Sequence, residues 1–121
     1  MNTKPRITLA TLPQATAQEV FDQVKEHLLT QKAKSVSADG SCVYRGEGGM
    51  MCAAGCLIAD DEYEPYMDGG AGGSWATLVA ERWVPLKHAD LIQELQNIHD
   101  GSPKHWEDEL KELADVLNLT Y

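Results

Sequence analysis

The sequence predicts an α+β domain that is mostly helical, with four to five helices packed around one short β-hairpin. Two observations predict it. Apolar residues recur at helical spacing along several segments, most regularly at Trp106, Leu110, Leu113 and Leu117. The runs Cys42-Val43-Tyr44-Arg45 and Met50-Met51-Cys52-Ala53 flank Gly46-Glu47-Gly48-Gly49, which is the pattern of two short strands joined by a glycine turn. A length of 121 residues suits one domain, 1–121, with one modest core.

Taken in order, residues 1–14 read as an irregular N-terminal arm. Pro5 and Pro13 interrupt helix there, and Ile7, Leu9 and Leu12 can lie against the body. Thr16 with Glu19 forms a capping box, so a helix is expected over 16–31 with Val20, Phe21, Val24 and Leu28 on its apolar face. The hairpin follows at 42–53. Ala54-Gly55-Cys56-Leu57-Ile58 is small and apolar, a short buried helix or the turn into one. The acids of 60–64 are expected at a helix N-terminus, where the dipole favours them. Residues 68–73 read as a flexible glycine-rich loop, since no phosphate-loop lysine accompanies the glycines. Ser74 caps a helix running to Trp83. Another helix spans about 86–100, with His88, Leu91, Leu95 and Ile98 on one face and Gly101 as its stop. Ser102-Pro103 opens the last helix, which Asn118 closes.

Charge divides the chain unevenly. Residues 1–59 hold six Lys/Arg and five Asp/Glu, whereas residues 60–121 hold four and fourteen. The overall charge of −9 repels phosphate backbones, so direct nucleic-acid binding is not expected. A basic protein surface is a better match, and plain solubility is the alternative use of such acid. No apolar run is long enough for a bilayer, and no secretory pattern opens the chain, so a cytoplasmic location is expected. Three cysteines, Cys42, Cys52 and Cys56, and four scattered histidines fit neither a disulfide framework nor a zinc-finger spacing. No metal and no cofactor are expected.

The central string Cys42-Val43-Tyr44-Arg45, Gly46-Glu47-Gly48-Gly49, Cys52-Ala53-Ala54-Gly55-Cys56-Leu57-Ile58 continues into Asp61-Glu62-Tyr63. His88, Leu91-Ile92, Leu95-Gln96 and His99-Asp100 follow, then Trp106, Leu110 and Leu113-Ala114. This pattern resembles a group of small phage and prophage proteins without assigned activity. It is distantly similar to a bacterial domain of unknown function sharing the Cys-Ala-x-Gly-x-Leu core. The resemblance covers about residues 16–119 and implies a phage or prophage setting in a bacterial host, with no catalytic residue attached to it.

Two candidate surfaces follow from the residues. Asp60, Asp61, Glu62 and Glu64 surround Tyr63 and Tyr66, and Asp108, Glu112 and Asp115 share the face of the last helix opposite its apolar stripe. Acids with interleaved tyrosines suit docking on a basic partner, because aromatics supply contact area and charge supplies steering. The expectation is a non-enzymatic accessory protein that binds or inhibits a host protein, such as a nucleic-acid enzyme or defence factor. The alternative is a small ligand-binding protein or Cys/His enzyme. Its pocket would lie near the hairpin and the glycine-rich loop and use Arg45, Cys52, Cys56, His88 and His99. The sequence implies no particular oligomeric state.

Overall fold

The computed structural model describes residues 6–68 and 74–121. Four α-helices carry the fold: α1 (Ala17–Gln31), α2 (Trp75–Ala80), α3 (Ala89–Asp100) and α4 (Trp106–Val116). Helix α3 packs against the other three, and α1 also meets α4 and the turn at Gly55–Leu57. Their apolar faces close one core, in which Phe21, Leu28, Leu57, Trp75, Ile92, Leu95, Trp106 and Leu110 are wholly buried.

The fold is helical, and the predicted α+β class is corrected. Among the described residues there is no β-strand and no sheet, only two isolated antiparallel bridges, Val36 with Cys42 and Arg45 with Met51. The chain does reverse at Glu47–Gly49, as the glycines require, with Gly48 at φ 70° and Gly49 at φ 79°. It fails to build a ladder because side chains take the backbone groups first. The Asp68 carboxylate accepts the Tyr44 and Arg45 amides at 2.7 and 3.1 Å. Gln31 accepts the Met51 amide at 3.0 Å, and both Gln31 and His27 donate to the Met51 carbonyl. Every buried backbone group needs a partner, and here the partner is a side chain rather than a neighbouring strand. We call residues 33–53 the clasp.

Helix ends account for the other differences. The capping box forms as expected: Thr16 Oγ1 accepts the Glu19 amide at 3.1 Å, and Glu19 accepts the Thr16 amide at 2.9 Å. Helix α2 stops early, because Arg82 turns left-handed at φ 66° and the Arg82 and Trp83 amides close back on Val79 and Leu78. Trp83 is thereby placed outside the helix. Helix α3 starts at Ala89 rather than 86, since His88 stands left-handed at φ 65° and anchors to the Ala15 carbonyl at 2.7 Å. In α4, Asn118 closes the helix at φ 57° as expected, but Leu117 falls past Val116 and is 42 % exposed. Ala114 takes its place in the core. The predicted helix start at 60–64 is absent: those residues turn, and a 3-10 segment spans Pro65–Asp68. Residues 1–5 of the arm lie outside the described residues, and its remainder is more ordered than expected. A 3-10 turn forms at Leu12–Gln14, with Leu12 fully buried. Residues 69–73 of the glycine-rich loop lie outside the described residues.

Candidate functional site

Among the described residues, Arg45, Cys52, Cys56, His88 and His99 line neither of the two open grooves on the surface. Cys52 and Cys56 are buried, and each is occupied locally: the Gly55 amide donates to Cys52 Sγ at 3.2 Å, and Cys56 Sγ donates to the Ala53 carbonyl at 3.1 Å. Burial raises both thiols, Cys56 to about 12, so neither is a thiolate at neutral pH. Arg45 is a structural bracket. Its guanidinium donates to the Gly55 and Ile58 carbonyls at 2.9 and 2.7 Å, reaches Asp60 at 3.3 Å and lies 5.0 Å above the Tyr63 ring. His88 is spent on the Ala15 carbonyl. A thiol reagent is therefore expected to modify the exposed Cys42 in the native protein, and Cys52 and Cys56 only on unfolding. Mass spectrometry of the labelled protein, with and without denaturant, checks this.

The sequence paired His99 with Cys52 or Cys56, but the structure brings it to Cys42. Cys42, His99 and Asp100 place one ligand-type atom each within 4.8 Å of one another. The hydrogen bonds define the proton positions. The Ser35 amide donates to His99 Nε2 at 3.0 Å, so Nε2 carries the lone pair. The ring proton therefore sits on Nδ1 and points to Asp100 Oδ1 at 2.9 Å. A metal at Nδ1 would need that nitrogen bare and a proton on Nε2, facing the Ser35 amide donor. The site's own hydrogen bonding thus opposes a metal. It opposes a thiolate as well: burial raises the Cys42 thiol, and the Asp100 charge and its hydrogen bond with Cys42 raise it further. Burial also works against the Asp100 charge, but hydrogen bonds from His99, Gln96 and Cys42 outweigh it and hold Asp100 below the usual carboxylate range.

The acidic candidates separate into two kinds. Glu62 faces inward and accepts the Leu9, Ala10 and Ala59 amides at 2.9–3.0 Å, fastening the N-terminal segment. Tyr63 donates to Asp68 at 2.6 Å, and burial, with Asp68 beside it, pushes its phenol to about 12. These two hold the fold together. Asp60, Asp61, Glu64 and Tyr66 are exposed, as are Asp108, Glu112 and Asp115 on α4.

Sequence reasoning missed Trp83. Its ring, 40 % exposed, packs on Tyr66 with centroids 5.1 Å apart, and Tyr66 in turn donates to Glu81 at 2.8 Å. Beside the pair runs an open groove lined by Leu9, Ala10, Val79, Arg82, Trp83, Val84, Pro85 and Leu86, with Leu86 74 % exposed. The signal was present in Trp83-Val84-Pro85-Leu86. That signal was partial: Pro85 bars helix beyond Trp83, but α2 already ends at Ala80 through the left-handed Arg82, which leaves the ring in the connection. Glu62 joins this groove to the acidic loop, because its amide partners Leu9 and Ala10 line one wall. Compared with models of known families, with curated proteins and with solved structures, the chain matches none.

Proposed function

We propose that the chain is a non-enzymatic accessory protein of a phage or prophage, acting in the bacterial cytoplasm, that docks on the basic surface of a host protein. The observation that carries this reading is the exposed Tyr66–Trp83 pair beside an apolar groove, with Asp61, Glu64 and Glu81 nearby in the chain. Aromatic residues held rigidly at a surface are the usual anchors of protein interfaces. The charge argues for a basic occupant. Residues 60–121 carry ten more acids than bases, and a field of that sign speeds encounter with an opposite charge. The apolar groove supplies the contact area that holds the partner after encounter. The acids of α4 supply steering from a separate face. The resemblance noted in the sequence supports the phage setting.

The test is a comparison of variants against one purified partner. Proteins retained from host lysate by the wild type are identified, and affinity and rates are measured for each in isolation. Trp83→Ala is expected to weaken binding by about thirtyfold, the scale of an interface hot spot. Asp108, Glu112 and Asp115 reversed to Lys are expected to slow association at low salt with little change in dissociation. The reading fails if the retained partner is acidic, or if Trp83→Ala binds it as well as the wild type does.

A further inference from the structure

Among the described residues, the buried polar ones are Ser35 and His99, and they are bonded to each other. That bond joins the clasp to α3. The Ser35 amide has no acceptor besides Nε2 among the contacts it makes, and the imidazole is stacked on Trp106 at 5.6 Å with an interplanar angle of 24°. Both ring nitrogens are committed, one as acceptor and one as donor. A second proton has one place to go, which is Nε2. Once there it faces the Ser35 N–H, donor against donor, and leaves that buried amide without an acceptor.

We propose that His99 is a proton-operated latch: a second proton at Nε2 expels the Ser35 amide and frees residues 34–43 from α3. The freed piece moves as one unit because it is bonded within itself. Val43 donates to the Ser35 carbonyl, Ser37 to the Ser41 carbonyl and Gly40 to the Ser37 carbonyl, all within 3.1 Å. It stays joined to residues 44–51, through the Glu47 amide on the Val36 carbonyl and Ser35 Oγ on the Met50 carbonyl, and that platform is fastened by Asp68, Arg45, Gln31 and His27. Besides the Ser35–His99 bond, its ties to α3 run through Asp100, from Lys34 Nζ to the carbonyl at 3.2 Å and from the Cys42 thiol to the carboxylate.

The charges around the ring come from several elements. Asp100, on α3 itself, bonds the ring, Lys34 on the clasp reaches the Asp100 carbonyl, and His27 on α1 lies close enough to feel the ring's charge. Cys42, Tyr44 and Cys52 on the clasp are neutral, since burial raises all three. Helix α4 presents the uncharged face of Trp106. His27 adds a separate acid sensitivity. Burial lowers its pKa in the folded protein, so below about pH 6.5 the unfolded chain binds more protons and global stability falls with pH. The experiment must therefore read the clasp and the rest of the fold separately.

Amide exchange by NMR does so. The Ser35 protection factor is expected to fall tenfold or more as the pH is lowered from about 7.5 to 5, with the midpoint set by protonation of Nε2. Over the same range the α1 amides from Val20 to Leu28 should keep protection well above that of Ser35. His99→Gln places an amide oxygen where Nε2 stood and cannot titrate, so its Ser35 protection should not change with pH. In the wild type, the 15N shift of Nε2 should move from unprotonated to protonated with the same midpoint as the loss of protection. PH-independent Ser35 protection in the wild type overturns the latch. So does an equal loss in His99→Gln. If that variant does not fold, a mismatch between the Nε2 and Ser35 midpoints overturns it instead.

Discussion

Gly55→Ala is expected to destabilise the protein by about 3 kcal/mol, the upper part of the range for forcing an extra methyl into a packed site. A Cβ at this position would lie 2.5 Å from the Tyr44 carbonyl oxygen and 3.2 Å from its Cα, and these backbone atoms cannot rotate away. The Gly55 carbonyl also accepts from Arg45, so displacing residue 55 loosens the bracket that ties the clasp to Ile58. Gly48→Ala is the control. It has open space but a φ of +70°, and its cost of about 1–2 kcal/mol comes from backbone conformation alone. Urea denaturation of both variants distinguishes a steric from a conformational requirement. Equal losses would mean that the close approach of Tyr44 and Gly55 is not maintained in solution.

Trp106→Ala is expected to cost about 3–5 kcal/mol, in line with other buried aromatic truncations. The indole is 1 % exposed, opens α4 and stacks on His99. Its removal leaves a cavity between α3 and α4 and takes away the surface that holds the imidazole in line with Ser35. Against a total stability of about 5–15 kcal/mol for a domain of this kind, that is a large fraction. The measurement is the urea midpoint at constant slope. A shift equivalent to less than 1 kcal/mol would place Trp106 outside the load-carrying core.

The helices were legible because each rests on local signals. Thr16 and Glu19 fix where α1 begins, the 106–110–113 spacing fixes the buried face of α4, and Asn118 fixes its end. The clasp was misread for a physical reason. Short apolar runs on either side of a glycine turn describe a hairpin only when the strands find each other. Here Gln31 and Asp68, far away in sequence, intercept the hydrogen bonds first. The acidic candidates were legible as charge but not as orientation: a local pattern cannot reveal that Glu62 turns inward to three amides while Asp61 faces water. Trp83 was missed because its exposure depends on Arg82 turning left-handed, a conformation that arginine seldom adopts.

The side-chain satisfaction of the clasp has a consequence for behaviour at high concentration. A two-stranded hairpin on the surface of a helical protein presents free edges, each a row of unpaired amides and carbonyls onto which another chain can add a strand. In this molecule the amides of residues 44, 45 and 51 are already held by carboxylate and carboxamide oxygens. An intruding strand finds no register to extend there. A segment whose composition invites β-addition is thus shielded by its neighbours' side chains, and the protection is lost wherever Asp68 or Gln31 is replaced by a residue without an acceptor.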